Sequence, residues 1–347
     1  MKTAIFLFCL FNFCVLFNLV HAQNNEKITQ LLLNPHESKM ISRGDNHPEI
    51  DLSIDSLDKI LILLHHRIEI KEIKNYFRLS DQKFRSKIDI LKNNAFIKEY
   101  NNTYLPTVMV IGLNDGVIMK SNAEIFATPI INLIENKNNE IKNKYFQIKA
   151  FEKIPLDTAS LFIYSNVLLD NWQINNVEKL FLKKPRTERH GKNYYMSLHE
   201  KEINSPIESF GIYGNQAISK KDYVVCIYGN SRYTEYSQKR IKKAEKDYLN
   251  LINHPSQKIN YPIIDSLSTQ QLSEIASLIT DDLVKIFENR KEELHKFFIE
   301  SKYSEEITFE EYFIWFYHIL YTLVTNKLTE KKIIYNPNIN YIYFYKN

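Results

Sequence analysis

Leu52-Ser53-Ile54-Asp55-Ser56-Leu57-Asp58-Lys59-Ile60-Leu61-Ile62-Leu63-Leu64-His65 opens the stretch whose reading decides the fold, and the stretch runs on to Gly112. Ile54, Leu57, Ile60, Leu61 and Leu64 recur at helical spacing, which predicts an amphipathic helix over Ser53 to His65. Ile70, Ile73 and Phe77 mark a shorter helix over Ile68 to Phe77. Ser80 is placed to cap a third helix, its hydroxyl accepting from an otherwise unpaired backbone N–H. That helix turns Phe84, Ile88 and Leu91 inward. Its outer face carries Asp81, Gln82, Lys83, Arg85, Lys87 and Asp89, a mixed charge with no basic stripe. Phe96 to Tyr100 and Tyr104 to Ile111 read as two strands around the polar tip Asn101-Asn102-Thr103.

Helix, short helix, Leu79-Ser80, helix and two-strand ribbon together resemble the winged-helix variant of the helix-turn-helix fold over residues 52–112. In DNA-binding members of that fold the third helix enters the major groove. The mixed charge on this third helix favours a packing or protein-contact module instead, since a fold does not fix a function.

Ahead of this module lie two segments of different character. Met1 to Ala22 has the physics of an export signal: Lys2 supplies a positive start, Ala4 to Val20 is almost wholly apolar, and Val20-His21-Ala22 is a small-residue cleavage site. Cleavage after Ala22 would export the chain to the periplasm or beyond, and a retained anchor helix is the alternative. Residues 23–51 read as a flexible lead-in with one short apolar run, Ile28 to Leu33. Of 3 cysteines only Cys226 lies beyond the leader, so no intramolecular disulfide is available and a packed core or a metal must hold the fold. The formal charge of +4 is too mild to imply nucleic acid or a membrane surface. Richness in Lys, Asn and Ile suggests an AT-rich, bacterial coding sequence.

Beyond the ribbon, Gly112-Leu113-Asn114-Asp115-Gly116 has turn chemistry. Asn122 to Phe146 is predicted helical, with Ile125, Ile130, Ile131, Ile134, Ile141 and Tyr145 inward and Pro129 kinking or starting it. Leu156 to Leu169 is apolar and fits a helix or a strand. Asp170 to Arg232 holds four of the 7 glycines, and Tyr194 to Leu198, Phe210 to Tyr213 and Tyr223 to Tyr228 read as strands. Gly211-Ile212-Tyr213-Gly214-Asn215 echoes Cys226-Ile227-Tyr228-Gly229-Asn230, which suggests a repeated hairpin corner. Ser237 to Asn253 is a basic helix and Pro255 to Pro262 a linker. Ser268 with Gln271 and Thr308 with Glu311 form capping boxes for two long helices, the second very aromatic. Tyr341 to Tyr345 closes the chain as a strand. The fold class expected is therefore α+β: a winged-helix-like module with its following helix (52–150), then an aromatic-rich α+β domain (151–347) with a small antiparallel sheet and long C-terminal helices.

Chemistry is less legible. Arg189-His190-Gly191-Lys192-Asn193 sets a histidine and two cations beside a glycine, which could hold an anion or be a charged hairpin turn. Asp170, Asn171, Trp172, Tyr194, Tyr195, Tyr213 and Tyr228 with Asn215, Gln216 and Asn230 would make a pocket of aromatic faces and amides if the strands pair; Asp170 or Asn171 otherwise caps a helix. No cofactor motif is present, and no His, Cys, Asp and Glu spacing suits a metal: His65 and His66 are adjacent, as are His199 and Glu200, and His318 sits among aromatics. Cys226 stands in an apolar strand, where a thiol is inert. The expected function is an exported, non-enzymatic binding or interaction protein for a protein or small ligand. The alternatives are a hydrolase or transferase around Asp170, Arg189 and His190, and a membrane-anchored winged-helix DNA-binding protein.

Overall fold

A computed structural model describes residues 24–42, 46, 48, 50–203, 211–230, 237–253 and 261–346. The expected leader, most of the linker at Pro255 to Pro262, and Phe210 lie outside the described residues. No described helix is long and apolar enough to cross a membrane. The chain is α+β and divides into two interleaved units, not at residue 150 as the sequence suggests. The first comprises the described residues of Met1–Asp115, Arg186–Ser209 and Phe298–Tyr312; the second those of Gly116–Pro185, Phe210–Phe297 and Phe313–Asn347.

In the first unit, helix Leu57–His65 buries Leu57, Ile60, Leu61 and Leu64 as expected, and Ile62, Leu63 and His65 as well. Only Asp58 and Lys59 of its first turn reach water, and beyond them the helix is apolar and buried on every side. Ile54 is exposed because Asp55 and Ser56 take positive φ before the helix begins. Helix Ile70–Tyr76 follows, then helix Asp81–Asn93, where Ser80 Oγ accepts from Lys83 N at 3.3 Å and Phe84, Ile88 and Leu91 are buried. Strands Ile97–Tyr100 and Thr103–Pro106 form a hairpin on Asn101 and Asn102, both at positive φ.

The expected second strand of the ribbon breaks in two. Met109–Ile111 leaves the hairpin and pairs in parallel with Tyr195–Glu200, whose other side takes His36–Ile41 antiparallel. Pro106, with no N–H to give a ladder, ends the first half. The lead-in is correspondingly more ordered than expected: residues 24–31 are helical, and His36–Ile41 finds a strand partner too distant in sequence for local reading to reveal. Nor is Gly112 to Gly116 a turn. Helix Leu113–Tyr145 starts there, with Leu113 N donating to Glu200 Oε2 at 2.7 Å and Gly112 N to Asp115 Oδ2 at 3.2 Å. Two carboxylates at a helix start satisfy free N–H groups and favour the dipole.

In the second unit, Pro129 is carried inside that helix, with Ile130, Ile131, Ile134, Ile141 and Tyr145 buried but Ile125 37% exposed. Leu156 to Val167 is helical, not a strand. The four-stranded sheet runs Ile263–Ile264, Tyr341–Lys346, Tyr223–Asn230, Tyr213–Ser219, all pairs antiparallel except the first. The Tyr-Gly-Asn echo is not a pair of hairpin corners. Its copies oppose each other across the ladder, Tyr213 to Asn230, Gly214 to Gly229 and Asn215 to Tyr228. Alternation splits the sheet into two faces. Tyr223, Val225, Ile227, Ile342 and Phe344 pack under Ala244 and Tyr248 of helix Ser237–Asn253. Helix Ser266–Glu288 is capped by Asp265, which accepts from Ser268 N at 2.8 Å, so Ser268 lies inside the helix it was expected to open. Phe126, Phe181, Phe287, Phe313 and Tyr317 meet ring to ring at 4.8 to 6.1 Å.

Candidate functional site

The second face of that sheet meets an irregular helix. Helix Leu156–Leu161 widens into a π-helical stretch, Phe162–Val167, and π turns frequently mark functional positions. The wider turn sets two consecutive polar residues, Ser165 and Asn166, in the interior. Ser165 Oγ bridges Tyr228 Oη at 2.6 Å and Thr325 Oγ1 at 2.7 Å. Asn166 Nδ2 donates to Tyr343 Oη at 3.4 Å, and that hydroxyl donates to Asn215 Oδ1 at 2.9 Å. Cys226 lies beside Tyr343 and Asn215, and burial pushes its thiol up to about 11.

Asp170 sits at the end of this segment, wholly buried, its Oδ2 without a hydrogen-bond partner. Burial pushes its carboxyl up to about 7, and a hydrogen bond with Tyr321 pulls weakly the other way. Tyr317 donates to Leu169 O and Tyr321 to Tyr213 O, each at 2.6 Å. Burial first, and the nearby Asp170 second, hold both phenols well above their ordinary range. The expected capping role is absent: the backbone carbonyl of Asp170, not its side chain, takes Gln173 N and Ile174 N at 2.8 and 2.7 Å. Around neutral pH this is a carboxylic acid poised between neutral and charged forms in an aromatic cage.

Of the sequence candidates, the structure gathers Asp170, Trp172, Tyr213, Tyr228 and Asn215 in this unit. Tyr213 and Tyr228 stack at 6.0 Å, and Trp172 is half-buried, 6.5 Å from each of Tyr343 and Tyr345. Asn171 is half-buried, Gln216 is exposed, and Asn230 is buried opposite Tyr213. Tyr194 and Tyr195 are not part of the group, because Tyr195–Glu200 belongs to the three-stranded sheet of the first unit. Sequence reading missed Ser165, Asn166, Thr325, Tyr321 and Tyr343. A serine and asparagine together in an otherwise apolar helical run were the one available signal.

Arg189 and His190 belong to the first unit, and Asp170 belongs to the second. Their segment is a two-residue hairpin turn with His190 and Gly191 at positive φ. The anion expected there is already supplied by the protein. Arg189 is buried and gives Nη2 to Glu311 Oε1 and Oε2 at 3.0 and 2.8 Å, and Nη1 to Tyr194 O at 2.8 Å. Gly191 N donates to Glu188 Oε1 at 3.1 Å, and His190 is exposed. Glu311 also accepts from Thr187 Oγ1 and Met196 N, each at 3.2 Å, and burial raises its carboxyl despite Arg189. Only half of its predicted capping box forms: Glu311 N donates to Thr308 Oγ at 3.2 Å while its side chain turns inward.

A second buried acid, Glu306, takes His65 Nδ1 at 2.7 Å and the Arg67 guanidinium. His65 Nε2 stands 3.9 Å from Asp115 Oδ2, and its ring stacks on Tyr303. Among the described residues no three His, Cys, Asp or Glu side chains converge to hold a metal. No protein-family model, curated protein or solved structure matches the chain.

Proposed function

We propose that this chain is a non-enzymatic interaction protein whose first unit presents a winged-helix-like face to a protein partner. The observation that carries the reading is the outer side of helix Asp81–Asn93. Phe84, Ile88 and Leu91 fix the helix to the core, while Gln82, Lys83, Arg85, Ser86, Asp89 and Ile90 are all exposed. The hairpin that follows exposes Tyr100. Supporting residues are tied down: Lys74 bonds Asp81 at 2.5 Å and Lys92 bonds Glu99 at 2.6 Å. Mixed charge with one aliphatic and one aromatic side chain suits a protein surface better than phosphates, which ask for a cationic footprint.

A photo-crosslinking residue at Gln82 or Ser86, in cells producing the full chain, is expected to give discrete protein adducts. The same residue at exposed Ser273 of the second unit serves as the comparison. Adducts from Ser273 alone would defeat the proposal. Duplex DNA binding with a steep salt dependence, lost in Lys83→Ala with Arg85→Ala, would transfer the face to nucleic acid. Export through a leader cleaved after Ala22 belongs to the same proposal. N-terminal sequencing of the fractionated protein tests it, and an intact leader on cytosolic protein would overturn it.

A further inference from the structure

We propose that a cleft in the second unit, floored by Asn340 and Tyr341 and walled by Arg240 of helix Ser237–Asn253, binds a small phosphate group. The cleft has a volume of about 130 Å³. That leaves room for a phosphate group with several waters.

Its chemistry is one-sided. Arg240 is half-buried, and its one hydrogen bond among the described residues runs from Nη1 to the Asn340 carbonyl at 2.7 Å. Among the described residues no Asp or Glu side chain lines the cleft. Partly removing a cation from water is costly, and an incoming anion offsets that cost. Burial lowers the Arg240 pKa from its ordinary value, with Tyr261 nearby pulling the other way. The remaining guanidinium N–H groups form the fork that matches two phosphate oxygens. Thr158, Tyr261 and Asn336 add neutral donors along the wall. At the mouth Tyr335 and Ile339 are 41% and 51% exposed, so a phosphomonoester could lay an apolar group on them.

Calorimetric titration of the full chain with inorganic phosphate, phenyl phosphate and benzoate tests the assignment. Phosphate and phenyl phosphate are expected to bind saturably, one per chain. Arg240→Gln should weaken both by about tenfold or more, the loss typical of a charge-assisted bond. Asn336→Asp should weaken them as well, by placing a carboxylate at the wall; Asn336 is exposed at φ 52, a conformation Asp tolerates, so this variant keeps the test open if Arg240→Gln fails to fold. Lys243→Gln, an exposed position on the same helix, should change nothing. Tighter phenyl phosphate would identify an ester as the source, and equal affinity free phosphate. No saturable binding of either, binding indifferent to both cleft substitutions, or benzoate binding without phosphate binding would each overturn the proposal.

Discussion

Arg189 Nη2 and Glu311 Oε2 lie 2.8 Å apart with side chains only 2% and 1% exposed, so the first unit is built around an ion pair that water does not reach. Such a pair contributes little net stability against well-packed apolar side chains, but breaking it strands a charge. Arg189→Met alone should therefore cost roughly 3–5 kcal/mol in urea unfolding. Arg189→Met with Glu311→Leu should recover much of that loss, since the double variant, unlike the single one, buries no unpaired charge. A double variant as unstable as the single one would show that the bonds from Thr187 and Met196 to Glu311, not the ion pair, are what the core needs.

Asp170 makes the second unit sensitive to pH. Its carboxyl is raised from 3.8 to about 7 by burial, so the folded state holds a proton that the unfolded chain releases. That contribution to stability is complete below pH 3.8 and is lost as pH rises through about 7. Asp170→Asn should match the parent below about pH 3.8, pull ahead as the pH rises from there, and exceed it above about pH 7 by up to roughly 4 kcal/mol at the linkage limit. Thermal melts of both proteins across this range decide the matter. A variant that gains nothing at alkaline pH would mean that Asp170 is charged and compensated in the folded chain.

Local chemistry was readable in the sequence and long-range pairing was not. Ser80 caps its helix, and Phe84, Ile88 and Leu91 face inward, because three-residue and four-residue spacings are fixed by helix geometry alone. Met109–Ile111 reads as part of the hairpin because nothing adjacent reveals Tyr195–Glu200 as its true neighbour. Arg189 shows the same limit at the level of a site: its cationic setting was legible, but its anion comes from Glu311, a partner far along the chain. Asp170, Trp172, Tyr213, Tyr228 and Asn215 did come together in one unit. Ser165, Thr325 and Tyr343, which complete their surroundings, arrive from segments that composition marks only as apolar or aromatic.

Gly229 and Asn340 are fitted to each other. A Cβ built on Gly229 would stand 1.9 Å from Asn340 Oδ1 and 3.2 Å from Asn340 Cα. Here glycine is required by a close approach, not by its backbone angles. Gly229→Ala should cost about 1–3 kcal/mol, as overpacking does. Asn340→Ala removes the atom that clashes, so the two substitutions together should be less damaging than their sum. A double-mutant cycle with strictly additive effects would refute the contact.

The Cys226 thiol offers a reporter on all of these variants. It is 1% exposed in the middle of the sheet, and burial pushes its pKa up to about 11. The thiolate is the species that reacts with disulfide and alkylating reagents, so at about pH 8 the folded chain should be protected on both counts, access and ionisation. In the unfolded chain the thiol returns to an ordinary pKa, and labelling becomes fast. Modification of native protein should therefore follow opening of the sheet, slowing in Asp170→Asn above neutral pH and quickening in Gly229→Ala. Prompt stoichiometric labelling of the native parent would contradict the burial of this strand. It would also undercut the packing of Tyr343 and Asn215 on which the polar cluster depends, since both groups stand directly beside the sulfur.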